Sequence, residues 1–259
     1  MIYFRYLAMN FKAVLEYRLS TWFLAISQAF TTIFAFLSLA LLFLRFESLA
    51  GWSFAEAALC FGVTGAAFAL SECFARGFDA FSQMIIQGDF DRIMLRPRNT
   101  ILQVLGAKTD VIRIGRFLVS LAILLYIIPM LDLDWNAARI FTLVMMVLGG
   151  AVIFSGVFIL SATFCFFTLE GLEVVNIFTD GGRELTSYPL PVYGRYIRLF
   201  FTFIIPYGTF NYLPLLYITG RVSGNEILYM IMPIIGMLFI IPCLAVWNFG
   251  IKRYKSSGS

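Results

Sequence analysis

Long apolar runs separated by short polar segments make up most of the chain. A helix that crosses a bilayer needs about 20 apolar residues. Five runs meet that length, and they cover residues 22–44, 54–81, 101–130, 137–167 and 227–249. Before them, residues 1–20 place charges between apolar positions at helical spacing, which predicts an amphipathic helix lying in the membrane interface. The pattern predicts an all-α integral membrane protein.

The segment between the fourth and the last run fits two topologies. In the first, residues 170–187 form a polar fifth span, and residues 188–226 form short outer re-entrant helices broken at Pro206 and Pro214. In the second, residues 196–218 form the span and the part before them is a cytoplasmic loop. Broken helices at membrane depth need protein or water around their free backbone groups. Both topologies give six spans, and we favour the first.

The composition supports a membrane protein. Hydrophobic residues make up 61% of the chain and charged residues 13%, whereas soluble domains average about 45–50% and about 25%. The net charge of +4 is small, and no long basic face is present, which argues against nucleic-acid binding.

The distribution of Lys and Arg predicts the orientation. Residues 1–20, residues 82–116 and the C-terminal tail together hold twelve, and the opposite loops hold at most five. Because cytoplasmic loops carry the excess of basic residues, both termini are expected in the cytoplasm.

Several catalytic chemistries are excluded by composition. The chain has no histidine, so it lacks Ser-His-Asp catalysis and histidine-bound zinc. Its four cysteines are scattered singly in apolar runs and are expected to be buried small hydrophobes. Around Lys108, the glycine pattern of a phosphate-binding loop is absent, so no metal or nucleotide site is expected in this chain.

The loop of residues 87–99 is the most informative hydrophilic segment. Gly88 permits a turn, Asp89 is a suitable N-cap, and Pro97 ends any helix. A helix of about two turns fits between them, with Phe90, Ile93 and Met94 on one face and Asp91, Arg92 and Arg96 beside it. So short a helix needs a partner surface, which is either a groove of another protein or the bilayer.

Charged residues inside two predicted spans form the other candidate sites. Glu72, Arg76 and Asp79 share one face of the second span at i, i+4 and i+7, either as a structural ion-pair ladder, which we favour, or as a polar path lining. A second set follows the fourth span and would line a path, join two subunits, or belong to a loop: Glu170, Glu173, Asp180, Arg183 and Glu184.

Two groups of residues carry a resemblance to a known family. The first comprises Gly88-Asp89-Phe90-Asp91-Arg92, Leu95-Arg96-Pro97 and Leu102-Gln103-Val104-Leu105. The second comprises Tyr188-Pro189, Tyr193, Ile205-Pro206 and Asn211-Tyr212-Leu213-Pro214. Together they resemble type-2 ABC transporter permeases, in particular an uncharacterised export-type branch.

The resemblance implies a single transmembrane permease domain over residues 1–255, followed by a flexible tail at residues 256–259. Such a chain is not an enzyme. It forms half of a translocation path with a second permease, identical or homologous, in the bacterial inner membrane. Two separate ATPase subunits bind ATP and Mg²⁺, and the loop around Asp89 to Arg96 is the coupling helix that contacts them.

An alternative from another class is a self-sufficient channel or ion-coupled carrier that uses the intramembrane acidic residues. Carriers commonly place broken helices at corresponding positions in two repeats. Here the proline-broken stretch occurs once, which favours the permease.

Overall fold

The computed structural model describes residues 18–168, 173–222 and 224–254, together with Met9, Lys12 and Glu16. For Glu173 it describes the backbone alone. The predicted interfacial helix therefore lies almost entirely outside the described residues, as does Glu170.

Within the described residues the chain folds into α-helices joined by short turns. The first seven are α1 Arg18–Arg45, α2 Phe54–Asp79, α3 Phe81–Ile86, α4 Asp89–Met94, α5 Thr100–Ala107, α6 Ile114–Ile127 and α7 Ala137–Thr168. The remainder are α8 Glu173–Asn176, α9 Asp180–Thr186, α10 Arg195–Phe203, α11 Tyr207–Phe210, α12 Tyr212–Ile218, α13 Glu226–Met237 and α14 Ile240–Ile251. Single 3₁₀ turns flank α6 at Val111–Arg113 and Ile128–Leu131, and another precedes α10 at Leu190–Val192.

Five helical segments are long and apolar enough to cross a membrane, which confirms the five long spans. They cover Arg18–Arg45, Phe54–Ile86, Val111–Leu131, Ala137–Thr168 and Glu226–Ile251. The third predicted helix needs correction, because the structure breaks it between Ala107 and Val111. Lys108 has extended backbone there, so the span itself begins only at Val111.

Helix α2 lies at the centre of the bundle because small residues line most of its surface. In its most apolar stretch 78% of residues are buried, against 11% in α1. A Cβ atom on Gly65 would lie 2.4 Å from the Ser120 hydroxyl of α6, and one on Gly77 would overlap the Val104 carbonyl of α5. These close approaches let α5, α6 and α7 pack around α2.

Contacts at the two ends of the bundle show where the chain crosses between α7 and α13. Phe166, near the end of α7, packs against Phe81 at what we call the inner end, predicted to face the cytoplasm. Arg221, after α12, pairs with Glu56 at the start of α2, which we call the outer end. The chain therefore passes from the inner to the outer end between these residues.

This crossing is not one continuous helix. The pair Arg195–Phe203 and Tyr207–Ile218 is bent by 81°, and Pro206 lies at the break, as the sequence predicts. Pro214 was predicted to break a second helix, and this is wrong. It lies in the first turn of α12, where a missing N–H costs no helical hydrogen bond.

Candidate functional site

A buried network of charges begins on α2 near the inner end. Arg76 lies 3.2 Å from Glu72 and 2.7 Å from Asp79, at the i, i+4 and i, i+3 spacings of one helix face. Glu72 is only 3% exposed. A carboxylate at this depth needs counter-charges, because burying an unpaired ion is expensive.

Two further arginines reach the same carboxylate from the segment that opens the third span. Arg116 on α6 approaches Glu72 at 2.6 Å, and Arg113 approaches it at 3.3 Å. Arg113 also pairs with Asp110 at 3.1 Å. Arg113 and Arg116 both donate to the side-chain oxygen of Gln28 on α1, at 3.0 and 2.9 Å respectively. The network thus joins α1, α2 and the start of α6.

Sequence reasoning identified the α2 members of this network but did not assign its other residues. The available signals were the i, i+3 spacing of Arg113 and Arg116 and the isolated Gln28 within an apolar span. Neither signal identifies a partner, because the contacts join residues more than forty positions apart.

The segment before the bent helix pair lies against the middle of α2. Thr64 donates to the Thr186 carbonyl at 2.8 Å, and the Asn211 amide donates to Thr64 at 2.9 Å. Asn211 also donates to the Thr186 carbonyl. Thr64 is the eleventh residue of α2, about 15 Å along the helix. Helix α9 therefore lies against the middle of α2, a helix long and apolar enough to cross a membrane.

The opposite face of α9 carries its charges. Asp180 is exposed, the side chain of Glu184 is 67% exposed, and that of Arg183 is 25% exposed. Arg183 pairs with Glu184 and lies over the Phe68 ring of α2, 5.3 Å from its centroid. Three of the five charged residues predicted after the fourth span thus share one short helix.

Helix α4 is present where the 87–99 loop predicts it, but its N-terminus differs. The N-cap residue is Gly88, with a left-handed φ of 71°, and no side chain caps the helix. The prediction of Asp89 as N-cap is therefore wrong. Asp89 is the first helical residue and lies 3.5 Å from Arg92, on the exposed side of the helix.

The apolar face of α4 packs inside the chain. Phe90 is fully buried, with ring centroids of Phe81 at 4.9 Å, Tyr254 at 5.1 Å and Phe166 at 5.4 Å. Trp247 lies 6.3 Å away. We call these five residues the aromatic cluster. It joins α4 to α3 and to the inner ends of α7 and α14.

This packing corrects the predicted orientation of the loop. Phe90 and Ile93 were expected to lie against another protein or the bilayer, yet Phe90 is fully buried within the chain and Ile93 is only 9% exposed. The sequence does not show which side of the helix is covered, because Phe166, Trp247 and Tyr254, which pack on Phe90, are distant in sequence. Met94 is 44% exposed and Leu95 86% exposed, so the accessible apolar surface lies one turn later.

A polar contact beside the aromatic cluster also holds α4. The Tyr254 hydroxyl donates to the Asp91 carboxylate at 2.9 Å. Burial, together with that carboxylate, raises the pKa of Tyr254 to about 12. The phenol therefore remains a hydrogen-bond donor throughout the neutral pH range.

A second ion pair lies at the outer end. Glu56 completes a capping box with Ser53 at the start of α2 and pairs with Arg221 at 2.8 Å. Arg221 also donates to the Gly51 carbonyl at 3.0 Å, and its guanidinium lies 4.4 Å from the centroid of the Trp52 ring. This contact ties the end of α12 to the start of α2.

Comparison with known proteins identifies the family. The family model described as ABC-2 family transporter protein matches residues 29–258. Neither a curated protein nor a solved structure matches the chain significantly. The match covers most of the chain, including both groups of residues that carry the resemblance. The chain therefore belongs to the ABC-2 transporter family, as a multi-pass transmembrane permease component of an ABC transporter.

Proposed function

We propose that the chain is the permease subunit of an ATP-driven exporter in the bacterial inner membrane, with both termini in the cytoplasm. Two such subunits, identical or homologous, form the path, and two separate ATPase subunits bind beneath them. The ATPases hold ATP and Mg²⁺, and this chain needs no cofactor of its own. Export and the stoichiometry follow from the resemblance of the two residue groups.

The attachment of α4 to the ends of several spans carries the proposal. Phe90 places α4 against α3, α7 and α14 at one point. A partner that displaces α4 would therefore move the inner ends of these helices together, since closely packed side chains transmit displacement. That is the mechanical property expected of a coupling element.

The surface available to the ATPase follows from what α4 leaves exposed. Met94 and Leu95 form an apolar strip, and Arg92, with its side chain 77% exposed, lies beside them. Arg96 and Asp89 lie at its edges. An exposed apolar strip with polar edges has the composition of a docking surface.

The charged face of α9 supports a water-filled path or subunit interface at membrane depth. Asp180 and Glu184 are exposed at i, i+4, and exposed carboxylates are unfavourable in hydrocarbon. They therefore face water or another subunit in the assembled transporter. Glu72, Arg76 and Asp79 lie nearer the inner end, where their mutual pairing favours a supporting role.

The test replaces Leu95 by Asp and measures ATP hydrolysis that co-purifies with the tagged chain. The variant is expected to lose most of this activity, because a charge would be placed in a dry contact. Phe46→Asp, at a half-exposed residue near the outer end, is the matched control and should retain it. Equal activity in both variants would remove the support for α4 as the coupling element.

A further inference from the structure

A cavity of about 130 Å³ with both polar and apolar lining residues lies between α1, α2, α6 and α9. It is half enclosed and lies at the level of Gly65, one residue from Thr64 in the middle of the bundle. Its polar lining comprises Thr31, Thr32, Arg116, Arg183, Glu184 and Ser187, and the rest is apolar.

Two guanidinium groups approach the cavity from opposite elements. Arg116 lies 5.7 Å and Arg183 5.3 Å from the centroid of the same Phe68 ring. Both groups are cations that line the cavity, so an anion in it is attracted to each of them.

The negative groups already present leave room for such an anion. Glu72 and Gln28 bind Arg116, while Arg76 and Arg113 have carboxylates of their own in Asp79 and Asp110. Within the cavity lining itself, two arginines are accompanied by a single carboxylate, that of Glu184. Among the described residues, Glu184 is the sole hydrogen-bond partner of the Arg183 side chain. A guanidinium has five N–H donors, so most of those on Arg183 remain available.

Glu184 pairs with Arg183 in the way that the anionic group of a ligand would. Its side chain is 67% exposed, so it can rotate into water at little cost. Arg183 is fixed by the Phe68 ring and remains at the cavity when the carboxylate leaves.

Resting on the transport function proposed above, we propose that this cavity binds the anionic group of an amphiphilic substrate. The class is a phosphate-, sulfate- or carboxylate-bearing amphiphile. Arg183 and Arg116 contact the anion, and the apolar lining contacts the first part of the hydrocarbon. Glu184 competes with the substrate for Arg183.

The competition gives opposite expectations for two neighbouring residues. Arg183→Gln should weaken anion binding about tenfold, because a charged hydrogen bond is lost. Glu184→Gln should strengthen it, because the competing carboxylate is removed. Arg195→Gln removes the same charge from an exposed position on α10 and serves as the matched control.

The experiment uses the full chain purified into nanodiscs of phosphatidylcholine, titrated with phosphatidylglycerol or with inorganic phosphate. The readout is the thermal unfolding midpoint against probe concentration. Stabilisation by phosphatidylglycerol that follows the expected order of variants supports an anionic amphiphile. The same order with inorganic phosphate alone supports the anion site and assigns it to a free anion.

Two results would overturn the proposal. One is an Arg183→Gln variant that binds both probes as tightly as the wild type and Arg195→Gln. The other is parallel weakening by Arg183→Gln and Glu184→Gln, which indicates a structural ion pair. ATP hydrolysis that co-purifies with Arg183→Gln is measured as well. If it is retained, coupling to the ATPase is intact, and the binding result then tests the cavity and not the proposed permease function.

Discussion

Glu72 contacts arginines from both α2 and the segment that leads into α6, whereas Asp79 contacts only Arg76. The two carboxylates also differ in burial: Glu72 is 3% exposed, whereas the Asp79 side chain is 25% exposed. One carboxylate therefore pairs with three cations, of which Arg76 and Arg113 each have a second carboxylate partner. Arg116 depends on it most, because its other hydrogen bond is to the neutral Gln28.

Replacing Glu72 by Gln should lower the stability of the protein by about 3–5 kcal/mol, because it leaves buried guanidinium groups uncompensated. Asp79→Asn keeps the Arg76–Glu72 pair and should cost less than about 1 kcal/mol. Thermal unfolding in detergent measures both. Adding Arg116→Gln to Glu72→Gln should recover part of the loss, and a double variant that is less stable than the single one would contradict this account.

At the scale of elements, the hydrophobic pattern was enough to locate the helices but not to assign their faces. The spacing of Phe90, Ile93 and Met94 correctly predicts a helix between Gly88 and Pro97. It does not show which side is covered, because the covering residues Phe166 and Trp247 lie far along the chain. Long apolar spans were predictable because lipid imposes their length.

The break after Ala107 had a weaker signal. Residues 101–130 are apolar enough to read as one helix, and no proline or turn-forming glycine follows Ala107. Packing imposes the break: the Val104 carbonyl of α5 lies directly over Gly77 of α2, and the Cys73 thiol donates to the Asp110 carbonyl at 3.4 Å. Tertiary contact overrides helix propensity here.

The packing of α4 predicts a contrast between Phe90 and Leu95, five positions apart. Phe90→Ala should destabilise the chain by about 3–5 kcal/mol, because it leaves a cavity among closely packed rings. Leu95→Ala should change stability little, since that side chain is 86% exposed. Unfolding midpoints of the two variants make the comparison. Equal losses would mean that the aromatic cluster does not hold α4.

At the scale of the whole molecule, the orientation predicts which residues are accessible from outside the cell. Ser48→Cys, in the exposed turn after α1, should react with an impermeant maleimide in intact cells. Arg98→Cys, in the exposed turn after α4, should react only after permeabilisation. The four native cysteines are buried, so background labelling should be low. The reverse labelling pattern would contradict the charge-based orientation.

The bent helix pair is held to α2 at two levels, by Asn211 in the middle of the bundle and by Arg221 at the outer end. The outer contact is the more accessible of the two, because the Arg221 side chain is 40% exposed whereas Asn211 is 2% exposed. Separation of α12 from α2 at the outer end is therefore less costly than separation at Asn211.

Arg221→Gln should loosen α12 without unfolding the bundle, because it removes the Glu56 ion pair and the stacking on Trp52 but leaves the Asn211 hydrogen bonds. Hydrogen exchange of residues 212–221 is expected to rise by about tenfold, as the loss of roughly 1.4 kcal/mol of local stability implies. Exchange within residues 57–75 should stay unchanged. Arg139→Gln, which removes an exposed arginine bonded to the Asp134 carbonyl, is the control and should leave residues 212–221 as protected as in the wild type. Faster exchange throughout α2 in Arg221→Gln would instead show that the outer ion pair stabilises the whole bundle and not only the contact between α12 and α2.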